Sequence, residues 1–98
     1  MRAPVSYTQE NAEVLALKVL SWLAGNDDLL PVFQGATGAS DDDIRQGAQD
    51  PVFLGAVLDF VMMDDAWVVQ CCDTVHLKYD QLYLARQALP GGEQVNWT

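Results

Sequence analysis

The sequence predicts an all-α protein: a single-domain orthogonal bundle of five to six short helices around a buried central helix at about residues 51–63. The chain has 98 residues and half of them are apolar, which is enough for one core without metal or disulfide support. Apolar residues recur at helical spacing, and no segment alternates apolar and polar residues as a half-buried strand does. Residues 1–98 are therefore expected to form one domain, with residues 1–7 and 93–98 as loose tails.

The first helix is predicted from about Thr8 to Ala24. Its apolar stripe repeats at helical spacing, whereas Lys18 and Ser21 fall outside it. The stripe consists of Ala12, Leu15, Ala16, Val19, Leu20, Trp22 and Leu23. Gly25-Asn26 is a typical helix end.

A second, shorter helix is predicted to start at Asp27-Asp28 and to continue through Phe33. Pro31 is tolerated because it lies in the first turn, where its missing amide has no partner to lose. After the turn at residues 37–39, Ser40 is expected to cap a third helix, with Asp43 as its capping-box partner. This third helix should end near Ala48.

Asp50-Pro51 is the clearest start signal in the chain, since a capping aspartate precedes proline at the first helical position. The helix that follows is apolar around almost its whole circumference, which predicts the buried central position. Asp59 interrupts it. Because an unpaired buried carboxylate is costly, Asp59 should reach the rim or meet a partner such as Arg45, Arg86 or a tryptophan indole NH.

Asp64-Asp65 is expected to start another helix that runs through Cys72. A break is predicted between Thr74 and Lys78, and the last helix carries the apolar residues at 82–89 and ends at Pro90. Four aromatic residues are expected in the core or half-buried at the surface: Trp22, Trp67, Tyr79 and Tyr83. Any of these that are exposed together would mark a partner site.

The charge balance limits the classes of function. Fourteen acidic residues face five lysines and arginines, giving a formal net charge of −9. This excess disfavours general binding to nucleic acids and to anionic membrane surfaces, both of which need basic side chains. Many of the acids stand at predicted helix starts, where they cap amides and oppose the helix dipole. The expected partner is a protein with a basic surface, and a homodimer is an alternative if an apolar patch is exposed.

Residues 33–45 resemble a DNA-binding helix-turn-helix, which makes transcriptional regulation one functional hypothesis. The would-be recognition helix, however, begins with Asp41, Asp42 and Asp43, where contacts to bases and phosphates would form. Three carboxylates repel phosphate, and Arg45 alone does not compensate. We therefore expect the geometry of the motif without its DNA-binding function.

An enzyme or metal-binding protein using Cys71, Cys72, His76 and nearby acids is a second alternative. Cys72, His76 and Asp80 would align on an uninterrupted helix, but zinc sites usually take their ligands from separate segments. The single histidine also lies too close to Cys72 for a separately positioned base. We expect the adjacent cysteines to be reduced and mostly buried. The sequence thus predicts no catalytic residue, no metal site and no cofactor.

No apolar stretch follows the N-terminus as in a signal peptide, and no apolar run is longer than that at residues 60–63, which is far below the roughly 20 residues of a membrane span. A cytoplasmic protein is expected.

Several segments, taken in order, resemble a bacterial family known as domain of unknown function 3572. They are residues 21–24 (SWLA), 37–38 (TG), 50–60 (DPVFLGAVLDF), 64–65 (DD) and 88–93 (ALPGGE). The resemblance covers roughly residues 10–94, and the sequence departs from it between Val75 and Tyr79. It implies a short, all-helical, cytoplasmic bacterial protein, and it brings no activity, cofactor or functional residue. The function expected from the whole sequence is that of a small acidic, non-enzymatic interaction or adaptor protein.

Overall fold

The computed structural model describes residues 8–90, and the two tails predicted at residues 1–7 and 93–98 lie outside them. Within this range the chain forms six helices and no strand, which confirms the all-α prediction. The helices are α1 (Gln9–Ala24), α2 (Leu30–Thr37), α3 (Asp41–Gly47), α4 (Pro51–Val61), α5 (Asp65–Val75) and α6 (Tyr79–Gln87).

Most of the helix starts follow from side-chain caps. Ser40 and Asp43 form the predicted capping box: the Asp43 amide donates to Ser40 Oγ at 3.1 Å, and the Ser40 amide donates to Asp43 Oδ2 at 2.9 Å. Asp50 and Asp64 each accept from the backbone amide two residues later. Thr8 caps α1 by accepting from the Asn11 amide, three residues later. Among the acids, Asp43, Asp50 and Asp64 make capping hydrogen bonds.

The predicted start of the second helix at Asp27-Asp28 is wrong. Asn26 Oδ1 accepts from the amides of Asp28 and Leu29, at 3.1 and 3.0 Å, and residues 27–29 form a turn. The Leu30 amide donates to the Asn26 carbonyl at 2.9 Å, and α2 begins at Leu30 with Pro31 in its first turn. An asparagine, rather than the two aspartates, organises this entry.

The core lies between α1, α4, α5 and α6. Helix α1 packs against the other three, while α4 packs against α1, α3 and α6, so the two helices share the centre. Helix α4 is buried along most of its length, as expected, and ends at Val61. An aromatic series links it to its neighbours: Phe33 of α2 meets Phe60 edge-to-face at 5.1 Å, and Phe60 stacks on Trp67 of α5 at 4.8 Å.

The break predicted between residues 74 and 78 is present but shorter. Helix α5 continues through Val75, and His76 ends it in the left-handed conformation with φ of 62°. The Leu77 amide donates to the Cys72 carbonyl at 3.0 Å, which closes the helix end. Helix α6 then starts at Tyr79. No helix in the described part of the chain is long and apolar enough to cross a membrane.

Candidate functional site

An apolar groove lies between α1 and α5. It has a volume of about 550 Å³. Its wall on the α1 side is formed by Val14, Leu17, Lys18, Ser21 and Trp22, and its wall on the α5 side by Thr74 and Val75. Two large apolar side chains stand open to solvent here, with Val14 53% and Leu17 40% exposed.

These exposed residues belong to a second apolar face of α1. At 100° per residue, Val14, Leu17 and Ser21 lie opposite the face that packs Leu15, Val19 and their neighbours into the core. The outer face of α1 thus combines two exposed large apolar side chains with polar Lys18 and Ser21, which makes it a candidate interface.

Lys18 is the one charged residue that lines this groove. It forms no ion pair within residues 8–90, because its helical neighbours at i−4 and i+4 are Val14 and Trp22 rather than acids. Lysine commonly lays its alkyl stem on apolar surface and holds the ammonium at the edge. The groove thus combines an apolar floor with one uncompensated positive charge.

A second cleft, of about 460 Å³, lies between α2, α3 and α4. Phe33 and Phe53, whose rings meet edge-to-face at 5.9 Å, contribute its apolar part. Its carboxylates, Asp43 and Asp50, already serve as helix caps. The groups that line this cleft are therefore explained by the local fold.

Helices α2 and α3 follow one another across a turn at residues 38–40, with Gly38 in the left-handed conformation at the end of α2. Asp41, Asp42 and Asp43 are all exposed in the first turn of α3. Arg45 reaches Asp42 at 3.5 Å, and both side chains are largely solvated. A helix of seven residues that begins with three carboxylates presents an unfavourable surface to phosphate.

Cys71 and Cys72 are free thiols and both are buried, as the sequence predicted. Burial raises the pKa of the Cys71 thiol to about 12, and the neighbouring Cys72 adds to the effect. Burial and the charge of Asp73 also raise the pKa of Cys72. Since the thiolate is the nucleophile and the metal ligand, this environment disfavours both kinds of chemistry.

The structure does not bring His76 and Asp80 into register with Cys72. His76 is exposed and ends α5, whereas Asp80 belongs to α6, so the three are not on one helix. Within residues 8–90, no three His, Cys, Asp or Glu side chains are grouped so that they could hold a metal ion.

Asp59 finds its partner in Arg86, one of the three candidates that the sequence offered. Arg86 Nε donates to Asp59 Oδ1 at 2.7 Å and Nη2 donates to Oδ2 at 3.0 Å, which makes the pair bidentate. Arg86 Nη1 also donates to the Pro90 carbonyl at 3.1 Å. The Asp59 side chain is 55% exposed and that of Arg86 is 17% exposed. The pair ties α4 to α6 at the rim and has a structural role.

Two of the four aromatic residues are half-buried as predicted, whereas the two on α6 are exposed. Trp22 and Trp67 are half-buried against the core, whereas Tyr79 and Tyr83 are exposed one turn apart. Tyr79 Oη donates to Asp73 Oδ1 at 3.2 Å, and the Asp73 charge raises the pKa of this phenol. Because α6 is otherwise polar on this side, the two tyrosines do not form a groove like that of α1 and α5.

Sequence reasoning identified Lys18 and Ser21 as lying outside the core stripe but missed Val14 and Leu17. The available signal was the presence of apolar residues on both sides of the predicted first helix. A sequence pattern does not say which of two apolar faces a neighbouring helix covers.

Comparisons with known proteins place the chain in a family without assigning an activity. No curated protein and no solved structure matches it. A family model described as a protein of unknown function (DUF3572) matches residues 9–92. The chain belongs to this family, as the ordered segments of its sequence indicated.

Proposed function

We propose that this protein is a small, non-enzymatic interaction protein that binds another protein through the groove between α1 and α5. The observation that carries the proposal is the outer face of α1, where Val14 and Leu17 stand exposed beside half-buried Trp22. Burying such side chains against a partner removes apolar surface from water, at about 25 cal/mol per Å². Exposed apolar clusters rimmed by polar residues are typical of protein-binding surfaces.

The net charge supports a partner that is basic overall. A chain with a formal charge of −9 attracts positively charged surfaces over distances comparable to the Debye length, about 8 Å at physiological salt. Such steering mainly raises the rate of association, while the apolar contact sets the lifetime of the complex. The two features have complementary roles: charge brings the partner close and the groove holds it.

Alternative functions have less support from the geometry. The thiols of Cys71 and Cys72 are buried with raised pKa values, and His76 lies apart from them. The three aspartates at the start of α3 oppose DNA binding through the helix-turn-helix. Neither arrangement supplies the observation that an enzyme, metal protein or transcriptional regulator would need.

Affinity capture from native lysate at low and high salt tests the proposal. The wild type is compared with Leu17→Glu, which charges the groove, and with Val52→Glu, a matched control at an exposed apolar position on α4. We expect one or more proteins to be retained by the wild type and by Val52→Glu, lost with Leu17→Glu and reduced at high salt. If all three baits retain the same proteins, the groove is not the binding surface and the proposal fails.

A further inference from the structure

The uncompensated charge of Lys18 narrows the kind of partner that fits the groove. Among the four cations in residues 8–90, Arg45 pairs with Asp42 and Arg86 pairs with Asp59. Lys18 and Lys78 form no ion pair there, and of these two only Lys18 lines the groove. Lys18 therefore offers a partner a cation beside the exposed apolar side chains of the groove.

We propose that the groove takes an amphipathic helix of a partner protein, with its apolar face on Val14, Leu17 and Trp22 and a carboxylate paired with Lys18. This inference rests on the proposed function and adds the chemistry of the partner. The carboxylate would meet an ammonium on a partly apolar surface, where a covered ion pair is stronger than one in open water.

A helix fits the shape of the site. The groove runs along α1, where its wall extends from Val14 to Trp22, a rise of about 12 Å or two helical turns, and the last two residues of α5 form its other side. A helix laid in such a groove contacts it with side chains at i, i+3 or i+4, and i+7. Three anchoring residues on one face of a partner helix therefore match the length of the wall.

The charges along α1 also give the partner helix a polarity. Glu10 lies on the same outer face, one turn before Val14. Along the helix axis, Lys18 lies about 12 Å from Glu10. A complementary helix therefore carries a basic residue near Glu10 and a carboxylate near Lys18, about two turns apart. Its remaining exposed residues are basic, in agreement with the net charge of this protein.

A second copy of the chain is the less favoured occupant. Each copy carries a formal charge of −9, so self-association brings like charges together. The negative net charge that repels a second copy attracts a basic amphipathic helix.

Selection from a phage-displayed library of helix-forming peptides tests this inference. The targets are the wild type, Lys18→Glu and Lys78→Glu, a control with the same charge change outside the groove. With the wild type and the control, we expect enriched peptides to combine apolar residues at i, i+3 or i+4, and i+7 with Asp or Glu at one flanking position. With Lys18→Glu, Lys or Arg should replace that acid. A synthetic consensus peptide should bind the wild type about tenfold more tightly than its Glu→Gln form.

The outcomes separate the two proposals. The enriched peptides are also tested for binding to the Leu17→Glu variant. Peptides that bind the wild type but not this variant, and that show no preference for an acid, would overturn the role of Lys18 and leave the groove as a protein-binding site. If no enriched peptide depends on Leu17, both proposals fail. Sedimentation equilibrium tests whether a second copy of the chain occupies the groove. A dimer that dissociates in the Leu17→Glu variant, and that does not bind the consensus peptide, would assign the groove to a second copy.

Discussion

Both faces of α1 carry large apolar side chains, but only those of the inner face are buried. Leu15, Val19 and Leu23 on the inner face are covered by α4, α5 and α6, whereas Val14 and Leu17 on the outer face are open to water. The same difference separates two cations: Arg86 is bound by a carboxylate and a carbonyl, while Lys18 has no ion-pair partner within residues 8–90. Side-chain type therefore does not decide whether a residue stabilises the fold or remains available for a partner.

Truncation of one leucine on each face gives the largest expected difference. Leu23→Ala should lower the free energy of unfolding by about 3 kcal/mol, because Leu23 is fully buried and its removal leaves a cavity. Leu17→Ala should change it by less than about 0.5 kcal/mol, since Leu17 is partly solvated before and after. Urea unfolding at equilibrium measures both. Equal losses would show that the outer face also contributes to the core.

Removal of the two cations should give the next largest contrast. Arg86→Ala is expected to lower the free energy of unfolding by about 2 kcal/mol, which is below the usual cost of breaking a fully buried pair because Asp59 is half solvated. Lys18→Ala should change it by less than about 0.5 kcal/mol. Thermal or urea unfolding of the two variants checks this order, and a larger loss for Lys18→Ala would contradict the comparison.

Gly55 provides the control for the Arg86 site. A Cβ at position 55 would lie 2.8 Å from Arg86 Nη1 and 3.1 Å from Cζ, so Gly55→Ala displaces the guanidinium. In the wild type this change should be destabilising. In the Arg86→Ala background the same change should stabilise the protein, by up to about 1 kcal/mol, because alanine favours a helix over glycine. If Gly55→Ala changes the free energy of unfolding with the same sign in both backgrounds, Arg86 does not occupy the space next to Gly55.

The buried thiol of Cys71 gives the core a pH response. The pKa of Cys71 is raised from 9.0 to about 12 by burial, so above pH 9 the unfolded chain loses a proton that the folded chain keeps. This contribution to stability is complete below pH 9 and is lost as the pH rises towards 12. At pH 10 the loss of stability amounts to about 1 kcal/mol. Urea unfolding at pH 8 and pH 10 measures the loss.

Cys71→Ala is the matched control for this pH response. The substitution lowers stability at both pH values, since it leaves a cavity, but it should reduce the difference between them. The pKa values of Cys72 and Tyr79 are also raised, and their contributions have the same sign in both proteins, so the comparison isolates the contribution of Cys71. An equal loss in the variant and the wild type would show that Cys71 does not titrate in this way.

Local signals allowed most helix starts to be predicted. The capping box of Ser40 and Asp43, the Asp50-Pro51 start and the Asp64 cap each involve residues within three positions of one another, so their geometry depends little on the rest of the chain. The error at Asp27-Asp28 came from a competing local signal. Asn26 offers a side-chain oxygen to the following amides, and the two aspartates do not need to act as caps.

Local chemistry and apolar periodicity were enough to predict most of the helices, the caps at Ser40, Asp50 and Asp64, the burial of the cysteine pair and the need of Asp59 for a partner. The packing of the helices selected Arg86, 27 residues away, as that partner. It also decided which face of α1 would be left open. Both results depend on how α4, α5 and α6 pack around α1, and a one-dimensional pattern describes the faces of a helix but not its neighbours.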